Sequence, residues 1–94
     1  MTRAEFSEYW FARHAPLGAR IPGLRKFVQS HAIEVPGDAA AADFDGMAEL
    51  WFDDPAALLA ARQSNAWKEA TADEVHFVDP TRKAYFVTEE KVIL

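Results

Sequence analysis

Thr2 and Glu5 form a capping box at the start of the chain, so a helix begins at about residue 3, before any strand. Phe6, Trp10, His14 and Leu17 follow at i, i+4, i+8 and i+11, the spacing of one helical stripe, and Pro16 disfavours continuation past about Ala15. One position on that stripe is an imidazole. A polar ring needs a partner or a cavity where an aliphatic side chain would simply pack.

Ile21, Pro22 and Gly23 break the helical pattern, and residues 24–35 read as a strand with Phe27, Gln29, His31 and Ile33 on one face and Val28, Ser30 and Ala32 on the other. Residues 36–43 lack periodicity and form a loop suited to bordering a pocket. A second strand spans about residues 44–52, with Ala48, Leu50 and Phe52 opposite Met47, Glu49 and Trp51. Asp53, Asp54 and Pro55 start a helix that runs to about Gln63 with Leu58, Leu59 and Ala61 on its apolar face. Ser64 and Asn65 restart the pattern over about residues 66–75, around Trp67 and Ala70, read as a kinked continuation of that helix. Residues 83–94 alternate, Tyr85 and Val87 against Ala84 and Phe86, and read as a final strand whose apolar end, Val92 to Leu94, is long enough to reach a neighbouring subunit.

With 94 residues, half of them hydrophobic, the chain makes a single domain, residues 1–94, near the lower end of comfortable size, where a second subunit would help. A net charge of −5 with scattered Lys and Arg argues against a nucleic-acid partner. The absence of cysteine removes disulfides, thiolate nucleophiles and thiolate metal sites together. Without a signal peptide or a bilayer-length apolar run, the expected location is cytoplasmic, with no membrane partner.

The order helix, strand, strand, helix, strand is that of an α+β, ferredoxin-like βαββαβ unit lacking its first strand. Phe6, Tyr9, Trp10, His14, Ala15, Pro16 and Leu17, then Pro22, Gly23, Leu24, Val28, Gln29 and Ser30, and later Trp51, Phe52, Phe77, Val78 and Asp79, resemble the EthD domain family over nearly the whole chain. The resemblance implies a dimeric α+β barrel, in which two antiparallel sheets pack face to face with helices outside. It also implies a homodimer with a small-molecule cavity between sheet and helices in each subunit. Family members usually place an apolar strand ahead of the helix, in the middle of the sheet. Without it two strand edges lack partners, so either the natural chain begins upstream or a partner segment such as the tail Val92 to Leu94 fills the gap.

Related barrels isomerise lactones and cyclise polyketide-like chains through a pocket histidine helped by a tyrosine or a second histidine. The resemblance therefore implies a cofactor-free isomerase or cyclase acting on an aromatic, lactone or polyketide-like substrate. Two alternatives stay open: a cofactor-independent monooxygenase of ether or phenol catabolism, and a non-catalytic accessory binding protein. His14 is the candidate acid or base, with His31 and Tyr9 assisting, because imidazole titrates near neutral pH. Adjacent Tyr9 and Trp10 cannot both face the sheet. Trp10 is grouped with His14, which leaves Tyr9 to flank the pocket or the subunit contact. Trp10, Phe27, Gln29, Trp51, Phe52 and Trp67 are candidates for holding a small apolar or aromatic ligand, against the simpler reading that the aromatic ones are packing. His76 with Asp73, Glu74 and Asp79 matches no standard ligand spacing, so no metal is expected, and no phosphate-cradling glycine loop is present.

Overall fold

In the computed structural model, which describes residues 1–40 and 42–94, the chain folds as a two-stranded antiparallel sheet with helices on one side. Helix α1, Arg3–Tyr9, starts at the capping box: the Thr2 hydroxyl accepts the Glu5 N–H at 3.1 Å and the Glu5 carboxylate accepts the Thr2 N–H at 2.8 Å. It continues through a π-helical segment, Trp10–His14, into α2, Ala15–Gly18, and so runs past the expected end at Ala15. Proline has no N–H, and its ring strikes the carbonyl four residues back in a regular α-helix. A widened turn just before Pro16 relieves that conflict, with the Ala15 N–H bonding the Trp10 carbonyl five residues back.

A turn through Pro22 and Gly23, whose φ of +80° suits glycine, leads into β1, Lys26–His31. β1 pairs with β2, Gly46–Trp51, in the register Lys26 with Trp51 through His31 with Gly46. Both strands are shorter than their sequence patterns. Beyond His31 the pairing ends after the Ala32 N–H reaches the Asp45 carbonyl, and Ile33 and Val35 lie exposed. Of the expected loop 36–43, residue 41 lies outside the described residues, and the others form no helix or strand.

Phe27, Gln29 and His31 share a face with Leu50, Ala48 and Gly46, and this face meets the helices: Trp10 lies over Gly46, and Gly18 over Phe27. The opposite face carries Val28, Met47 and Trp51, and Met47 is 53% exposed. After β2, Asp54 caps α3, Pro55–Arg62, and Ser64 caps α4, Asn65–Asp73, so two separately capped helices replace the expected single kinked one. α4 packs against α2, and Trp10, Ile21, Ala61 and Ala70 are the buried apolar residues.

The expected final strand does not form. Residues 83–94 have no regular structure, and Tyr85, Phe86, Val87, Val92, Ile93 and Leu94 are exposed. In a ferredoxin-like sheet the final strand pairs with the first, which lies in the middle, and among the described residues no strand stands ahead of α1 to offer that edge. The radius of gyration, 14.7 Å, exceeds the roughly 12 Å of a compact domain of this length, consistent with apolar segments left outside the core.

Trp10 needs a residue without a side chain beneath it. A Cβ on Gly46 would lie 2.8 Å from Trp10 Cη2 and 2.7 Å from the Ser30 carbonyl oxygen. Gly46→Ala should therefore destabilise the fold by about 1–3 kcal/mol, as overpacking does. Urea unfolding checks this, and an unchanged midpoint would contradict the packing described.

Candidate functional site

The π turn decides which side chains meet. In a regular helix, residues five apart point about 140° away from each other. The extra residue in the Trp10–His14 turn brings Tyr9 and His14 to one side, where both reach the end of α4. The Tyr9 hydroxyl donates to Asp73 Oδ1 at 2.8 Å, and His14 Nδ1 lies 2.9 Å from Asp73 Oδ2. Phe77, just after α4, packs its ring 4.7 Å from the imidazole and 5.3 Å from the Tyr9 ring.

The pair is mostly enclosed, with the His14 and Asp73 side chains 13% and 14% exposed. Among the described residues His14 Nε2 has no hydrogen-bond partner. Partial burial pushes the Asp73 carboxyl up. Hydrogen bonds from Tyr9 and His14, with the charges of His14 and His76, outweigh that and hold it below the ordinary carboxylate range. The same contact raises the Tyr9 hydroxyl, since ionising it would lose the hydrogen bond to Asp73 and set two anions together. The arrangement is that of an imidazole oriented at one nitrogen by a carboxylate and, among the described residues, unpartnered at the other, which suits general-base chemistry.

Trp10 and His14 part company, contrary to their grouping on one stripe, because the widened turn rotates His14 toward α4 while Trp10 faces the sheet. His31 stays with Trp10, ring centroids 4.6 Å apart, and its Nε2 lies 2.9 Å from Gln29 Oε1. Gln29 in turn donates to the Trp10 carbonyl at 2.9 Å, so Gln29 and His31 brace the π turn from the sheet. Phe27, Gln29 and His31 also line a shallow groove with Phe11 and Ala15, about 200 Å³ in volume. Trp51 lies under Lys26 at the far end of the sheet, Phe52 borders Gly23, and Trp67 stands near the Arg62 guanidinium. His76 is exposed, its ring 6.2 Å from that of Tyr9.

The larger cleft, about 480 Å³, opens between α1, the start of β2 and residues 77–84. Phe6, Trp10, Phe44 and Phe77 give it aromatic walls, and Arg3, Asp45, Glu74 and Lys83 form part of its charged lining. His14 does not line it; Phe77 does, and Phe77 also packs on the imidazole.

Asp73 and Phe77 are not among the sequence candidates for the site. Asp73 carries a signal: an acidic residue ends α4, where the helix dipole disfavours negative charge unless something nearby compensates. Phe77 carries none beyond its apolar character.

Because the Asp73 carboxyl is lowered in the folded state, its stabilising contribution is fully present above the ordinary carboxylate pKa and is lost as pH falls through the depressed value. Asp73→Asn should cost about 1.5–3 kcal/mol at neutral pH, the range for hydrogen bonds to a charged group. The gap between the two proteins should narrow on acidification below about pH 4. Denaturation at several pH values checks this; a gap independent of pH would contradict the assignment.

The EthD domain sequence pattern matches residues 1–81. An uncharacterized 11.0 kDa protein in the thcB-thcC intergenic region of Rhodococcus erythropolis is 28% identical over 90 residues, covering 96% of this chain and 85% of that protein. The crystal structure of an ethyl tert-butyl ether d (EthD) family protein from Bacillus halodurans matches with a TM-score of 0.70 and 30% identity, over 81% of this chain and 74% of that one. The family match spans both the helix that carries Tyr9 and His14 and the helix end that carries Asp73, and the chain belongs to the EthD domain family.

Proposed function

We propose that this EthD-domain chain binds a small, largely apolar or aromatic organic molecule and rearranges it by proton transfer through His14, a reaction of the isomerase or cyclase type. The observation that carries the reading is the 2.9 Å His14–Asp73 contact, with no hydrogen-bond partner at Nε2 among the described residues. The cleft volume of about 480 Å³ falls within the usual range for small-molecule sites, and its aromatic walls suit a planar or apolar ligand. Phe77 separates the cleft from the imidazole, so in this reading its ring turns aside to admit the reacting carbon. His14 then removes a proton next to a carbonyl and returns it elsewhere. Arg3 and Lys83 on the cleft lining are paired with Asp45 and Glu74, and Arg82, which has no carboxylate partner among the described residues, would balance charge developing on the carbonyl oxygen.

Two further readings each have an observation behind them. The Bacillus halodurans protein carries an ether, ethyl tert-butyl ether, in its family name, which favours a cofactor-independent monooxygenase acting on an ether or phenol. The position of His14 outside the cleft favours an accessory binding protein with no chemistry of its own. For each aromatic, lactone or polyketide-like compound bound, turnover and oxygen uptake separate the three readings. The leading reading expects conversion without oxygen uptake and a loss of about 10²–10⁴-fold in His14→Ala. Full turnover in a folded His14→Ala protein would reject it.

The chain is further proposed to work as a cytoplasmic homodimer. The exposed sheet face at Met47 and the exposed apolar tail support this, since surface of that kind is ordinarily covered by a partner. No helix among the described residues is long and apolar enough to cross a membrane. Light scattering should give twice the chain mass, and a monomer at micromolar concentration would contradict the dimer.

A further inference from the structure

We infer that Asp73 is the positioning residue of this site: its carboxylate holds neutral His14 in the tautomer protonated at Nδ1, leaving Nε2 with a bare lone pair. The identity of the ligand's reaction rests on the proposed function, but the tautomer does not.

The two Asp73 oxygens each have one partner, the Tyr9 hydroxyl at 2.8 Å and His14 Nδ1 at 2.9 Å. A phenol at neutral pH has a proton to give, so Tyr9 is the donor and the carboxylate the acceptor. A carboxylate stabilised in this way has no proton of its own, and the 2.9 Å contact at the other oxygen therefore needs a proton on Nδ1. Neutral imidazole carries one proton, and Nε2 is left without it. Phe77, its ring centroid 4.7 Å from that of the imidazole, opposes a flip that would exchange the two nitrogens.

Two consequences follow for chemistry. Neutral His14 is an acceptor and a base toward a ligand, and it has no proton to deliver first. The matching ligand is a proton donor at its reacting position: a carbon acid flanked by a carbonyl, or a phenol. When the C–H bond breaks, its proton forms the Nε2–H bond and its electron pair moves to the carbonyl oxygen as an enolate. The imidazolium so formed sits against the Asp73 carboxylate until the proton returns to carbon. The second consequence concerns Tyr9. Its hydroxyl proton is committed to Asp73, so Tyr9 positions the carboxylate and does not donate to the enolate.

Long-range 1H–15N correlation of the imidazole rings reads the tautomer directly, with His14→Gln used to assign the His14 signals among those of His31 and His76. Where the His14 ring signals are those of neutral imidazole, the unmodified protein should show the Nδ1–H form in excess by about tenfold or more, given the strength of a hydrogen bond to a carboxylate. Asp73→Asn should reduce that excess by about tenfold, and Tyr9→Phe should leave the Nδ1–H form dominant. A majority of the Nε2–H form in the unmodified protein overturns the inference, whether or not the variants fold. So does a folded Asp73→Asn protein with an unchanged ratio. If the Nδ1–H form dominates while His14→Gln turns over substrate normally, the proposed reaction fails and the positioning role stands. If His14→Gln is inactive but the Nε2–H form dominates, the reverse holds.

Discussion

Pro16 places a local demand on the first helix that shapes the region around it. In an unbroken α-helix its ring would press on the Ala12 carbonyl, and no N–H would be present to close the turn. The chain answers with a π turn over Trp10–His14, which leaves the Trp10 carbonyl accepting both the Ala15 N–H and the Gln29 amide. One extra residue in that turn sends Trp10 toward the sheet while Tyr9 and His14 swing together toward α4. Asp73 is the meeting point. Without the widened turn, Tyr9 and His14 would point well apart, and one carboxylate could not hold both.

This polar clasp matters in a molecule with few buried side chains. Among the described residues Trp10, Ile21, Ala61 and Ala70 make a small apolar core, and the sheet has two strands. Tyr9, His14, Asp73 and Phe77 tie the first helix to the last one across the layer, beside the cleft that Phe6, Trp10 and Phe77 line. The groups best placed to do chemistry therefore also carry part of the tertiary contact. Asp73 replaced by an apolar residue would lose orientation and stability together, so activity loss alone cannot distinguish its two roles.

Local signals are legible in the sequence. The Thr2–Glu5 box, the Asp54 cap and the shared face of Phe27, Gln29 and His31 all depend on neighbours a few residues away. The His14 imidazole stands out for a sound physical reason, a titratable ring on an apolar stripe, but its partner lies 59 residues away and no local pattern could name it. Pro16 reads as a stop because the steric rule is local. That the helix absorbs it by widening depends on the Gln29 side chain and the packing of Trp10, which are tertiary facts. The alternation in residues 83–94 describes a segment able to be a strand. Whether it becomes one depends on an edge to pair with, and pairing is a property of the sheet as a whole.

His14 and Asp73 act as one unit where the π turn meets the end of α4. A double-mutant cycle by urea denaturation, comparing His14→Ala, Asp73→Ala and the double variant, measures this most directly. A coupling energy of about 1–3 kcal/mol in favour of the intact pair is the predicted result. Additivity of the two losses to within about 0.3 kcal/mol would show that the two side chains stand side by side without acting on each other.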